Sequence, residues 1–188
     1  MNDTERGIEM SERRYTKEEI EKMKENAEIA ITSMTTAGIS MGFIPVFIDI
    51  AALMAAMGVG VIAIAKCYGY TLNKEDAGDL IKQFVQAAGF TSMGVIVGQK
   101  IFNSLLKSNP VSYIPVMISD AIICGATAYS VGSTADKYFR RRVEGKKVSK
   151  EEIRQWMKEG KEKGKEVSKK QAEEEAEKKK KEQDDKKN

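Results

Sequence analysis

Apolar residues recur at helical spacing along most of the chain, and local start signals divide them into separate helices. Thr16 and Glu19 form a capping-box pair ahead of one such stretch, which predicts a first helix over about 16 to 37. Asn73 stands before three acidic residues and an apolar face, which predicts an amphipathic third helix. A glycine-containing apolar stretch predicts a fourth helix over about 91 to 107.

Two further helices are apolar enough and long enough to cross a bilayer. The second helix is predicted from Ile44 to Ala65 and holds one full charge, Asp49. With the rise of an α-helix it is about 33 Å long, close to the hydrocarbon thickness of a bilayer. The fifth helix is predicted from about 115 to 143, where Asp120 is the only charge before Asp136.

The C-terminal segment begins with a third start signal, the capping-box pair Ser149 and Glu152. Beyond residue 158 lysines and glutamates dominate, and almost nothing apart from Val167 is of a type that is usually buried. We therefore expect an exposed helix held by pairs of opposite charge, or a disordered tail. Trp156 is the last anchor that this pattern predicts.

The pattern predicts an all-α protein: a compact apolar bundle of five or six helices with charged helical or disordered termini. Residues 1–28 form the charged start of the first helix and hold six basic and nine acidic side chains, residues 29–143 form the apolar core or membrane module, and residues 144–188 form the charged tail. From residue 137 onward the chain holds twenty basic and thirteen acidic side chains. The second and fifth helices are expected to span a membrane, with a water-soluble core as the alternative.

Composition removes many kinds of chemistry. The chain has no histidine, which excludes imidazole catalysis and histidine-ligated metals. Cys67 and Cys124 lie far apart in apolar stretches and form no metal knuckle. Gly89 and Gly94 have the spacing of a phosphate loop, but Val95 follows where the lysine is required. We expect no catalytic residues, no cofactor and no metal.

Small residues four positions apart predict close helix packing. The clearest pairs are Gly38 with Gly42 and Gly94 with Gly98. Such spacing lets two helix backbones approach each other closely. The pattern is equally compatible with packing between helices of one chain and with oligomerisation.

Two aspartates in the apolar helices have two interpretations. Asp49 and Asp120 are the last residues of two similar stretches, 43–49 and 113–120. This similarity suggests a duplicated unit with a shared carboxylate site. A carboxylate inside a membrane is costly and is often functional. Both aspartates also follow a proline closely, where the free amides of a helix start stabilise an anion.

The middle of the chain resembles a known family. The resemblance covers about 30 to 142 and depends on the helix start Phe43-Ile-Pro-Val-Phe-Ile-Asp49 and the helix end Lys66-Cys-Tyr-Gly69. It is to the helical domain of unknown function attached to some bacterial Era-like and dynamin-like GTPases and found in the YcjF group of inner-membrane proteins. This implies an all-helical, often membrane-associated module. The printed chain has no G domain, so we expect a separate GTPase.

These observations favour a non-enzymatic membrane-associated module that binds membrane lipid and acts with a GTPase or with copies of itself. The resemblance implies an inner-membrane location. With two spans, the basic residues over 137–147 predict that both termini are cytosolic. Trp156 is either the expected partner contact or an anchor to its own core. The alternative is a cytoplasmic helical protein or pore-forming effector that inserts on demand. Nucleic acid is not expected, because acids interleave with the lysines of the tail.

Overall fold

The computed structural model describes residues 15–43, 50–89 and 113–185, and these ranges are almost wholly helical, without a strand. This confirms the prediction of an all-α bundle. The predicted helix over about 91 to 107 lies outside the described residues. The helices are α1 (Lys17–Gly42), α2 (Ile50–Cys67), α3 (Lys74–Ala88), α4 (Tyr113–Val143) and α5 (Lys150–Asp185).

Reciprocal capping boxes start three of the helices, two of them at the predicted boxes and the third at Asn73, which the sequence predicts only as a helix start. In each box a side-chain oxygen of the cap accepts the amide three residues on, and the carboxylate at that position accepts the amide of the cap. The bonds are 2.8–3.2 Å long. Two amides that the helix itself cannot pair are thereby satisfied. The pairs are Thr16 with Glu19, Asn73 with Asp76, and Ser149 with Glu152.

Two helix ends are informative. α2 ends at Cys67, two residues beyond its predicted end at Ala65, and Gly69 closes it with a φ of 76° and an amide that donates to the carbonyl of Lys66 at 3.0 Å. α1 extends to Gly42, five residues beyond its predicted end at 37. Two glycines inside this extension pack against α4, and this tertiary contact outweighs their low helix propensity.

α4 is the central helix and packs against α1, α2 and α5. α1 and α5 both run antiparallel to it, because glycines further along each of them lie against earlier residues of α4. α2 packs against α1, α3 and α4, whereas α5 packs against α3, α4 and less extensively α1. In the described part of the chain, α2 and α5 therefore share no substantial interface.

The core has one large cluster and one small one. The large cluster lies among α1, α2, α3, α4 and the first two turns of α5, and it includes three large aromatic residues with almost no exposed surface, Tyr68, Phe84 and Phe139. The small cluster joins the C-terminal end of α1 to the N-terminal part of α4 and the distal part of α5. Its members are Ile39, Phe43, Met117, Ala121, Ala172 and Ala176.

The distal part of α5 corrects the sequence prediction. Almost nothing beyond residue 158 apart from Val167 was expected to be buried, but α5 buries one residue in every turn of this region, and Val167 itself is only half-buried. The buried residues are small, so the backbone of α5 approaches α4 without any large apolar side chain. We call them the α5 stripe: Gly160, Gly164, Ser168, Ala172 and Ala176.

Candidate membrane-interaction site

Among the described helices, α4 is the one that is long and apolar enough to cross a membrane. The segment that meets this condition is Val116–Val143, 28 residues long. Length and composition alone define the condition, and the core helix of a soluble protein meets it equally well. Here 61% of its most apolar 18-residue stretch is buried against the rest of the protein, so α4 is a core helix in this structure.

α1 approaches one side of α4 through Gly38 and Gly42. A Cβ on Gly38 would lie 2.9 Å from the carbonyl oxygen of Cys124, and a Cβ on Gly42 would lie 2.1 Å from Cα of Ala121. No side chain fits at these distances. The glycine pair that the sequence singled out therefore lies at a contact within the chain.

α5 approaches α4 in the same way along the α5 stripe. A Cβ on Gly160 would lie 2.9 Å from Cα of Ser130, and a Cβ on Gly164 would lie 2.9 Å from both Cα and the carbonyl oxygen of Ala126. The opposite, exposed side of α5 carries lysines and glutamates throughout. α5 thus places a charged surface over an apolar helix.

Polar contacts fix the proximal part of α5. Lys137 pairs with Glu159 at 2.7 Å, and Arg141 pairs with Glu152 at 3.0 Å. Both pairs are partly exposed, so each contributes about 1 kcal/mol or less. A stronger constraint is buried: the hydroxyl of Ser130 donates to the carbonyl oxygen of Met157 at 2.7 Å.

The α4–α5 contact also contains an imperfection. The hydroxyl of Ser168 is fully buried and has no hydrogen-bond partner among the residues that the structure describes. It faces Gly125 of α4, where an added Cβ would lie only 2.4 Å from the Ser168 oxygen. An unsatisfied buried polar group costs about 1–3 kcal/mol. The distal half of α5 is therefore held less firmly than its close approach suggests.

A buried pair joins the end of α2 to α4. The hydroxyl of Tyr68 donates to Oδ1 of Asp136 at 2.5 Å, and both residues are almost inaccessible. Burial raises the pKa of Asp136, while the Tyr68 hydroxyl and Arg140 act in the opposite direction. Burial and the bond to Asp136 raise the pKa of Tyr68 far above its usual value, so the phenol is protonated at neutral pH.

The structure places some of the sequence-predicted residues but not others. Asp120 is buried in α4, seven residues after the helix begins at Tyr113 and so beyond the first four amides that a cap can reach. Trp156 is half-buried on α5. Asp49, Gly94 and Gly98 lie outside the described residues, so the proposed pairing of Asp49 with Asp120 stays a prediction. In the described ranges no three potential metal-ligating side chains cluster together.

Two features of the site are absent from the sequence predictions. The α5 stripe has a signal, since all five of its members recur at intervals of four, but small residues such as glycine, serine and alanine are not counted as an apolar periodicity. The pair of Tyr68 and Asp136 has no local signal, because 68 residues separate the two. Only the tertiary fold brings them together.

Comparisons with known proteins give one match. The model of a protein family described as "Domain of unknown function (DUF697)" matches residues 10–177, which is most of the chain. No curated protein and no solved structure matches this chain.

Proposed function

The chain belongs to the DUF697 family, and from that premise we propose that it is a non-enzymatic helical module that attaches peripherally to membranes and acts beside a separate GTPase. In this proposal α4 is not a membrane anchor. It is a membrane-competent helix that α5 keeps covered. Attachment uses other surfaces of the molecule.

The cover that α5 forms over α4 carries the proposal. If α4 crossed a bilayer in this arrangement, the antiparallel α5 would have to enter with it, together with its lysines and glutamates. Each such charge at the centre of a bilayer costs about 2.5–3.5 kcal/mol or more. The packing therefore favours the alternative to a spanning helix that the sequence left open. Spanning by α4 would first require α5 to leave it.

The GTPase component rests on the sequence resemblance and on the surface of α5. Trp156 is half-buried among charged residues and remains partly accessible to a partner. A lone, partly exposed tryptophan is a common anchor of protein interfaces. We place the docking surface for a GTPase on the exposed side of α5 around this residue.

Fractionation of cells tests the membrane component. We expect the protein to sediment with membranes at physiological ionic strength and to be released by alkaline carbonate. The wedge variant Gly164→Leu places a side chain against the backbone of Ala126 and should convert part of the protein to a carbonate-resistant form. Lys165→Leu, at the exposed neighbouring position, is the matched control and should behave as the wild type. Carbonate resistance of the wild type would refute the peripheral proposal.

Chemical crosslinking in cells followed by affinity purification tests the GTPase component. We expect a GTPase among the proteins that the wild type captures, and a clear loss of that protein with Trp156→Ala. Lys163→Ala, further along the exposed side of α5, is the matched control. Recovery of no GTPase with the wild type would remove this component and leave the membrane component standing.

A further inference from the structure

Charge is unevenly distributed over the surface of the molecule. The part of α1 after Glu28 and the part of α2 before Lys66 contain no aspartate, glutamate, lysine or arginine in the described residues. α5 carries its charges elsewhere, since it shares no substantial interface with α2. In the described part of the chain, these stretches of α1 and α2 thus present an uncharged surface, whereas α5 is charged along its exposed side.

The exposed residues on this uncharged surface are apolar or small. Ile29 on α1 is 67% exposed and Val59 on α2 is 64% exposed, and they are the large hydrophobic residues that the fold leaves most open. The two helices pack against each other near Met34 and Gly60, so their exposed residues form one surface. We call it the uncharged face: Ile29, Thr32, Ser33, Thr36, Ser40, Ala52, Ala55 and Val59.

Hydroxyl groups on this face are already satisfied within their own helix. The Thr32 hydroxyl donates to the carbonyl oxygen of Glu28 at 2.9 Å, and the Ser33 hydroxyl donates to that of Ile29 at 3.0 Å. A hydroxyl bonded to its own helix needs no water as acceptor. It can therefore approach an apolar phase at a small cost.

The dimensions and borders of the face fit a bilayer surface. Its α2 part, 50–65, is about 24 Å long, which is shorter than the hydrocarbon thickness. Charges begin at one end of both helices, at Lys66 and Glu28, and Tyr15 lies beside Gly69 at that end. A lysine at such a border can extend its ammonium to the headgroups. A surface without charges that is bordered in this way can rest at the boundary between headgroups and acyl chains.

We propose that the uncharged face is the surface by which the protein lies on a lipid bilayer, with α5 directed toward water. The inference rests on the proposed membrane function and specifies its surface. A second copy of the chain is the competing occupant. Protein interfaces are enriched in aromatic residues and arginine at their centres. The exposed residues of this face, as far as the structure describes them, include neither, which favours lipid.

Tryptophan quenching tests the orientation. The chain has one tryptophan, Trp156, so Val59→Trp in a Trp156→Phe background moves the fluorophore to the uncharged face. Both proteins are bound to vesicles of phosphatidylcholine and phosphatidylglycerol brominated on their acyl chains. We expect the fluorescence of the Val59→Trp protein to be quenched and that of Trp156 in the wild type to be unaffected. Equal quenching, or quenching of Trp156 alone, would overturn the proposed surface.

Charge variants separate the surface from the function. Val59→Lys should lower the vesicle-bound fraction by about tenfold or more, because an ammonium then faces hydrocarbon. Gln86→Lys adds the same charge at an exposed site on α3 and should leave binding unchanged. Unchanged binding of Val59→Lys would overturn the surface alone, whereas a wild type that binds no vesicles would overturn the membrane function itself. A dimer in lipid-free solution that Val59→Lys dissociates would assign the face to a second copy.

Discussion

Gly164 lies where the backbone of α5 comes close to that of α4, and its missing side chain is what permits the approach. Gly78 in α3 offers a contrast, because no atom lies within 4 Å of the position that its Cβ would occupy. The two glycines have the same helix propensity but opposite packing requirements. Substitution by alanine therefore separates packing from propensity.

We predict opposite effects of one substitution at these two sites. Gly78→Ala should raise the free energy of unfolding by about 0.5–1 kcal/mol through propensity alone. Gly164→Ala should lower it by about 1–3 kcal/mol, because its Cβ would lie 2.9 Å from backbone atoms of Ala126. Urea unfolding followed by circular dichroism measures both. Stabilisation by Gly164→Ala would show that α5 does not approach α4 as described.

The buried carboxyl of Asp136 predicts a pH dependence of stability. Its pKa is raised above the ordinary value of 3.8, so the folded protein binds the proton more tightly than the unfolded chain. The resulting stability is fully present below the ordinary pKa and is lost as the pH rises through the raised one. Besides Tyr68 and Arg140, the charged groups that act on it are Lys24 and Glu28 of α1.

Asp136→Asn should remove this component while keeping an oxygen that accepts the Tyr68 hydroxyl. Between the ordinary pKa of Asp136 and its raised pKa in the folded protein lies a pH window. As the pH rises through this window, the free energy of unfolding of the variant should increase relative to that of the wild type, and above the window the difference should become constant. Tyr68→Phe is the companion variant. It removes a donor that stabilises the carboxylate, so it should extend the window to higher pH. A difference between Asp136→Asn and wild type that does not change with pH would contradict the assignment.

At the scale of helices, the contact between α4 and α5 combines close approach with an unsatisfied hydroxyl. Ser168→Ala removes that hydroxyl from a buried position and retains a small side chain. We predict an increase in the free energy of unfolding of about 1 kcal/mol or more, partly from helix propensity. Ser40→Ala, at an exposed position of α1, gives the propensity contribution alone. If the two serines give the same change, the Ser168 hydroxyl is not unsatisfied in solution.

The helices also show what the sequence could predict. Helix starts at Thr16, Asn73 and Ser149 were predictable, because a capping box depends on residues three positions apart. The glycine-rich contact of α1 was visible as a spacing, but its partner surface on α4 was not. The distal part of α5 was misjudged because its burial comes from backbone proximity, which no count of apolar side chains detects.

At the scale of the molecule, the essential feature of the described residues is that α5 is charged while the exposed parts of α1 after Glu28 and of α2 before Lys66 are not, with α4 enclosed between its neighbours. The local sequence of α4 is compatible with either a bilayer or a protein core. The environment of α4 is determined by α5, which follows it in the chain and packs back along it. α5 has small residues on the side that contacts α4 and charged residues on the opposite side. The apolar helix α4 could therefore be predicted from the sequence, but the arrangement of the helices that surround it could not.

The distance between α4 and α5 on a membrane tests the central claim most directly. Tyr129 and Lys163 are suitable sites, because the Lys163 ammonium lies 5.9 Å from the centre of the Tyr129 ring. Nitroxide labels on Tyr129→Cys and Lys163→Cys, in a Cys67→Ser and Cys124→Ala background, should show strong dipolar broadening in the electron paramagnetic resonance spectrum. We predict that this broadening persists when the protein binds phosphatidylcholine–phosphatidylglycerol vesicles. Its loss on binding would show that α5 leaves α4, and would contradict the account of α4 as a covered helix on the membrane.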